Sequence, residues 1–421
     1  MTARGVGRIP HGIVLAVLLA AVPMVFGQVL PGAEVSPPND RLQVYEKGAI
    51  EVSVAVPSAE ETREIFAVDL YERNIQPIWV QVRNLGDEPR FLTPVGMDPA
   101  YYSAREAMAR LGEDRVRSKR DHLQTSAISR LEIPANSIRS GYVFTPVDEG
   151  TKSFNVDILG GNEHNRMSFF VPVPGLRLDH YEVDLEGLYA ESERRELDLP
   201  QLVAELERLP CCVRDAKGED RGDPLNLVLI GEVRDLYYAF MRAGWDETET
   251  IYGASLFKTA MSAVAGDRYR YSPVSALYVF GRSQDVALQR ARSSIHERNH
   301  LRLWLTPLVH EGKPVWTGQI SRDIGVRFTT RTITTHKIDP DVDETREFLL
   351  EDLAYAQSLA KFGYVGGVGA APYAAPRANL TGDPYFTDGR RVVMWLSGSP
   401  TALDAISLTD LSAYATGHVS D

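Results

Sequence analysis

A change of hydrophobic period near residue 200 limits the possible folds more than any other feature. From Gly48 to about Pro174 apolar residues recur at every second position, as in Ile50-Glu51-Val52-Ser53-Val54 and Phe154-Asn155-Val156-Asp157-Ile158. A third such run is Ile78-Trp79-Val80-Gln81-Val82. Period two belongs to strands with one buried face. Turn residues such as Asn84-Leu85-Gly86-Asp87 separate the runs. Residues 48–174 therefore predict an antiparallel β-sandwich of immunoglobulin-like kind. One helical stretch interrupts it, from Tyr101 to Leu111, with Ala104, Met108 and Leu111 on one face. The basic run from Arg115 to Arg120 that follows reads as a solvated loop.

A charged connection spans 175–204, and the grammar beyond it is different. Pro200 stands in the first turn of a predicted helix that carries Leu202, Val203, Leu206 and Leu209 at helical spacing. Leu225 to Ile230 is a buried strand ended by Gly231. A helix with Val233, Leu236, Tyr237, Phe240 and Met241 on one stripe follows, and Gly244 is placed to stop it. A strand feeding a helix in this way is a βα unit. Further strands are expected around Ala276–Phe280, His300–Leu305 and Val315–Ser321, and a helix from Pro340 to about Leu359. Residues 205–396 thus predict an α/β domain with a mixed sheet, and the whole chain an α+β multidomain protein. Gly363 to Asn379 reads as a long loop, and the tail 397–421, without Lys or Arg, as peripheral.

Charge and cysteine content narrow the function. The 421 residues carry 45 Lys and Arg against 57 Asp and Glu, a net charge of −12, which excludes a backbone-reading nucleic-acid binder. Two cysteines, Cys211 and Cys212, exclude a disulfide scaffold and a structural Cys₄ zinc site. Adjacent cysteines either form a vicinal disulfide or pack as two small buried thiols, and the burial preference of cysteine favours the thiols. Residues 1–30 have Arg4 and Arg8 ahead of an apolar run from Ile13 to Phe26, with Val25 and Gly27 spaced for cleavage before Gln28. This is the layout of a signal peptide. The same segment, Gly12 to Leu30, also approaches the ~20 residues of an N-terminal membrane anchor. Residues 31–47 form a linker with Pro31, Pro37 and Pro38. Either reading exports the body of the chain, to the periplasm or cell envelope, with membrane contact only through an uncleaved N-terminal segment.

The downstream half resembles the LssY-like C-terminal domain family over about 205–396. The likeness rests on Leu209-Pro210-Cys211-Cys212, Gly222-Asp223-Pro224-Leu225-Asn226-Leu227-Val228 and Phe280-Gly281-Arg282-Ser283-Gln284-Asp285. It continues through Asn299 to Trp304, Trp316 to Asp323, and His336-Lys337-Ile338-Asp339-Pro340-Asp341-Val342-Asp343. In that family the domain often follows a polytopic lipid-phosphate phosphatase. This chain has neither that polytopic part nor an Arg-Pro or Ser-Gly-His phosphatase motif, so lipid phosphatase activity does not carry across, and the resemblance implies at most work at the cell envelope.

Candidate chemistry clusters in the same half. Alternation puts His300, Arg302 and Trp304 on one face of their strand and Leu301, Leu303 and Leu305 on the other. The polar face meets solvent, a second layer or a ligand, and these three are the candidate substrate-binding residues. His336, Asp339 and Asp323 are the catalytic candidates, because an imidazole beside carboxylates is what a general base or a metal ligand needs. Asp339-Pro340 fits equally well as an N-cap before proline at the first helical position, with Asp341 and Asp343 nearby. No residue pattern names a cofactor. The chain therefore reads as an exported or membrane-tethered envelope protein that binds a ligand or scaffolds partners. The alternative reading is a hydrolase for an anionic envelope substrate, which requires His300, Arg302, Asp323, His336 and Asp339 to meet in one pocket.

Overall fold

The computed structural model describes residues 41–111, 120–148, 150–173, 184–185, 187–248, 275–291, 298–327 and 335–416. The leader, most of the predicted linker and the basic run up to residue 119 lie outside the described residues. In the upstream half, the period-two segments form β1 (Gln43–Lys47), β2 (Ile50–Ala55), β3 (Gln76–Asn84) and β4 (Arg90–Thr93). They continue as β5 (Glu132–Ile133), β6 (Ser137–Thr145), β7 (Gly150–Gly160) and β8 (Glu163–Val173). These pair as two four-stranded antiparallel sheets, β1-β2-β3-β6 and β5-β4-β7-β8. Val52, Val54, Val80 and Val82 from one sheet meet Val156, Ile158, Phe169 and Val171 from the other in a single buried core. The expected sandwich is present, and its first strand lies inside what the sequence presents as a linker.

The outer face of the first sheet is covered by helices α1 (Ala59–Phe66), α2 (Ala104–Arg110) and α3 (Arg120–Ser126). Phe66, Ala107 and Leu123 pack there on Trp79, Tyr142 and Phe144. The sequence shows α2 by its apolar face but does not show α1, which has only two turns. Its signal is the capping box, in which Ser58 Oγ accepts from the Glu61 N–H at 3.3 Å and Glu61 accepts from the Ser58 N–H at 2.6 Å.

The downstream half opens with β9 (Arg195–Glu196), α4 (Leu199–Arg208), β10 (Cys212–Arg214), β11 (Arg221–Pro224), β12 (Leu227–Ile230) and α5 (Val233–Arg242). Then come β13 (Asp246–Glu247), β14 (Tyr278–Val279), β15 (Arg282–Ser283), β16 (Val286–Ala291), β17 (Arg298–His310), β18 (Lys313–Arg327) and β19 (Thr335–Ile338). Helix α6 (Val342–Tyr355) leads to β20 (Leu359–Val365), β21 (Arg377–Ala378), β22 (Pro384–Tyr385), β23 (Arg391–Leu396) and β24 (Ser407–Leu408). A ten-stranded sheet runs β13-β16-β17-β18-β12-β23-β20-β24, with β19 on β18 and β9 on β17. It is mixed, because β12–β23, β17–β9 and β20–β24 are parallel while the remaining pairs are antiparallel. The small sheet β11-β10-β14-β15 lies beside it.

Side-chain parity gives the large sheet two different faces. Leu227, Leu229, Leu301, Leu303, Trp316, Ile320 and Met394 are buried under Leu236 and Phe240 of α5 and Leu349 and Leu353 of α6. On the other face Val228, Ile230, Val393 and Trp395 pack on Leu202, Val203 and Leu206 of α4. Leu411 joins this second cluster and β24 pairs with β20, so the tail after 396 is tied to the large sheet at these two points, while its other described residues are half-buried or exposed. The segment read as one loop from Gly363 starts instead inside β20. Among the described residues no helix is long and apolar enough to cross a membrane.

Two buried arginines tie this half together. Arg346 of α6 donates to Asp388 Oδ1 and Oδ2 at 2.9 and 3.2 Å, to Asp343 at 3.1 Å and to the Arg390 carbonyl at 2.9 Å. Burial opposes ionisation of Asp388, but the hydrogen bonds from Arg346 and from the Arg390 N–H outweigh it and bring the carboxyl down to about 2. A carboxyl lowered on folding adds stability that is complete above its unfolded value of about 3.9 and is lost as pH falls toward the folded value. Between pH 4 and pH 2 the wild type should therefore lose about 1–2 kcal/mol that Asp388→Asn does not lose. Parallel acid melts by circular dichroism check this, and equal slopes for the two proteins would remove Asp388 as the cause. Arg391, the second arginine, is fully buried at the start of β23, and its partners among the described residues are all main-chain carbonyls, those of Leu225, Leu206, Gly366, Leu209 and Pro210.

Candidate functional site

The polar candidates sit on the face of β16–β18 away from α5 and α6. Strand register sets His300 opposite Gln289 and Ser321, and Arg302 opposite Gln319. Asp323 is diagonal to His300, within reach of a long side chain. All of these are buried, His300 at 9% and Asp323 at 2% exposure. Such groups are stable in the interior only when hydrogen bonded.

They are bonded to one another. His300 Nε2 lies 2.8 Å from Asp323 Oδ1, and Arg298 Nε donates to Asp323 Oδ2 at 3.3 Å. Arg298 also donates to Gln289 Oε1. Arg302 Nη1 lies 3.2 Å from His300 Nδ1 and donates to Gln319 Oε1 at 3.0 Å, while its Nε donates to the Ser275 carbonyl at 3.0 Å. Gln319 Nε2 in turn donates to Ser321 Oγ at 2.9 Å. A guanidinium has no acceptor, so Nδ1 must accept from Arg302 and Nε2 must carry the proton given to Asp323. The imidazole is thereby assigned as the neutral Nε2–H tautomer, with its lone pair and its proton both in use.

The candidates separate into three groups. His300, Arg302 and Asp323 meet. Trp304, on the same face of β17, is fully buried among Val213, Leu225, Leu277 and Val279 of the small-sheet core, away from any ligand surface. Asp339 falls on the far side of the sheet. Its carboxylate lies 3.8 Å from Arg322, whose side chain projects opposite to Asp323 by alternation and rests on Phe348 of α6. Asp339 also accepts from the Asp341 N–H at 3.1 Å, while Asp341 caps α6 by accepting from the N–H groups of Asp343 and Glu344. The helix starts two residues later than the sequence suggests and ends at Tyr355: Asp341, not Asp339, is its N-cap, and Asp339 holds the turn that precedes it, with Pro340 outside the helix. The backbone of His336 pairs with Val326 in β19, and its side chain lies outside the described residues.

Several members of the network carry no catalytic signature in the sequence. Arg298 precedes His300 by two residues, so strand parity alone places it on the same face. Asp223 of β11 is half-buried and accepts from Asn379 Nδ2 at 3.3 Å. Burial pushes its carboxyl up, against that hydrogen bond and the charges of Arg302 and His300. Asn379 is itself buried, its Oδ1 accepting from the N–H groups of Thr381 and Asp383 at 3.0 and 2.9 Å. The Asn379-Leu380-Thr381 triplet is thus a packed turn.

Cys211 and Cys212, for which the sequence favours separate thiols, are bonded to each other, and both are buried. They follow the Leu209 and Pro210 carbonyls held by Arg391. Among the described residues no three of His, Cys, Asp and Glu gather closely enough to hold a metal ion. Chemically, the network holds charge in place; a proton could leave or reach His300 only if Arg302 or Asp323 first let go.

Residues 204–390, which run from α4 to the start of β23 and include the whole network, match the family described as LssY C-terminus. No curated protein matches the chain.

Proposed function

We propose that this chain, with its LssY C-terminus domain behind a β-sandwich, is a binding or scaffolding protein of the cell envelope, exported or tethered through its N-terminal segment. The observation that supports binding over catalysis is the state of His300. Its Nδ1 accepts from Arg302 and its Nε2 faces Asp323, so no lone pair is left for a substrate proton. Export is supported by the basic-then-apolar leader of residues 1–30.

The hydrolase reading keeps one specific observation, the 2.8 Å pairing of His300 with buried Asp323, an arrangement that acid–base catalysis uses. One experiment separates the two. Full-length protein is screened against a panel of esters, phosphoesters, glycosides and peptides, alongside His300→Ala and His336→Ala variants whose folding is checked by circular dichroism. We expect no turnover above background from any of the three. Turnover by wild type that falls about 100-fold or more in His300→Ala would establish the enzyme instead. For location, N-terminal sequencing of protein recovered from the envelope fraction should read from Gln28 if the leader is cleaved and from Met1 if it anchors. Recovery of the uncleaved chain from the cytosol would sink the envelope assignment.

A further inference from the structure

A second polar site, which shares no residue with the His300 network, is a cleft of about 350 Å³ between the sandwich and the downstream half. Asn155 of β7 with Arg166 and Ser168 of β8 lines one wall, and Tyr238 and Arg242 of α5 with Gln357 line the other. The lining includes two arginines and neither an aspartate nor a glutamate. Arg166 has a partner behind it, since Nε and Nη2 donate to Asp157 Oδ1 and Oδ2 at 2.7 and 3.2 Å. Its Nη1 reaches across the cleft to Gln357 Oε1 at 3.5 Å.

Arg242 is different. It is half-buried, and its guanidinium makes no hydrogen bond, ion pair or ring contact with a described residue. Burial, with repulsion from Arg166, pulls it down to about 10 against the attraction of Asp157. Its place in the last turn of α5 suits a positive charge, because helix carbonyls point there. That explains the sign of the charge but supplies no hydrogen-bond acceptor, and among the described residues the guanidinium has none. An unpaired cation partly withdrawn from water is costly, and an anion beside it removes the cost.

We propose that this cleft binds a small organic anion, with its carboxylate or phosphate between Arg242 and Arg166 and its apolar part against Met97, Phe154, Phe170 and Met241. The volume is at the low end of the ~300–1,000 Å³ of small-molecule sites, the size for a small organic anion. The ligand touches both halves and so ties them together. The assignment is independent of whatever use the His300 network has.

The test is calorimetry on the full chain at low salt with phenyl phosphate, benzoate, inorganic phosphate and phenol. Phenyl phosphate or benzoate should bind, and which of them binds identifies the oxyanion. Phenol should not bind, and inorganic phosphate should bind at least about tenfold more weakly than the better organic anion. Arg242→Gln should weaken that anion about tenfold or more, while Arg242→Lys, which keeps the charge, should restore most of the loss. Because Arg242 makes no hydrogen bond or ion pair with a described residue, Arg242→Gln should melt within a few degrees of wild type, losing at most the favourable charge at the helix end, which separates loss of binding from loss of fold. Absence of anion binding by wild type, equal binding by Arg242→Gln, or phenol binding as tightly as the anions would each overturn the proposal.

Discussion

Replacing Arg391 by methionine should lower the stability of the downstream half by about 3–5 kcal/mol, among the largest costs expected of a single substitution here. The reason is the kind of partner that Arg391 has. Its donors end on the carbonyls of Leu206 and Leu209 at the end of α4, on Pro210, on Leu225 before β12 and on Gly366 after β20. Helix ends leave carbonyls without intrahelical donors, and buried ones must be satisfied from elsewhere. One side chain does this for three segments at once. Burial pulls the guanidinium down to about 10, opposed by Glu207, itself buried and accepting from the Thr416 N–H at 2.8 Å. Methionine fills much of the volume but leaves those carbonyls and Glu207 uncompensated. Lysine should fail almost as badly, since a single ammonium cannot span five acceptors fixed by a planar fork. Gly367 shows how closed the site is, because a Cβ there would meet Glu207 O at 2.5 Å and Arg391 Nη1 at 2.6 Å. Urea melts followed by tryptophan fluorescence measure the loss. A change of less than about 1 kcal/mol would mean that water or relaxation satisfies these carbonyls as well as Arg391 does.

Asp323→Ala should cost a similar ~3–5 kcal/mol, because it takes the paired carboxylate from the buried Arg298 guanidinium and the acceptor from the His300 Nε2–H. The more telling measurement is a double-mutant cycle with Arg298→Met. Removing the arginine from a protein that already lacks Asp323 should cost less than removing it from wild type, with a coupling of about 1–3 kcal/mol. Additivity within about 0.5 kcal/mol would show that the two groups do not stabilise each other, and the polar layer would then have to be regarded as separate contacts.

Much of this was legible in the linear chain, and the limits were physical. Alternation alone puts Leu301, Leu303 and Leu305 under the helices and His300 and Arg302 on the opposite face, because parity along a strand is a local property. The same rule brings Gln319, Ser321 and Asp323 to one side of β18. The unit of β12, Gly231 and α5 was visible for the same reason. What sequence spacing does not carry is register between distant strands. His336 and Asp339 seemed close to Asp323, but β18 has an irregularity between Asp323 and Gly325, and the return through β19 delivers Asp339 to the Arg322 side. Trp304 shares parity with His300 and still misses the network, because the small sheet β10-β14 caps the large one there. The point at which the tail is fastened does not show in the sequence, because one buried residue, Leu411, produces no period. Asp223 is invisible as a site residue for a related reason, as its neighbours Asn379 and Arg302 come from chain segments far away.

β8 closes the second sheet with no strand beyond it among the described residues, which leaves main-chain groups at its outer edge. Two of these, the carbonyls of Ser168 and Phe170, are taken by the Tyr238 hydroxyl and the Gln43 side-chain amide, and the Phe170 ring stacks on Tyr238 at 4.7 Å. An uncovered edge is a template on which any other extended chain can add. During synthesis the sandwich is complete by residue 173, some sixty-five residues before Tyr238 leaves the ribosome. Through that interval Gln43 can already hold the Phe170 carbonyl, whereas the Ser168 carbonyl waits for Tyr238, so the margin of the sandwich is finished only by the half that is made later.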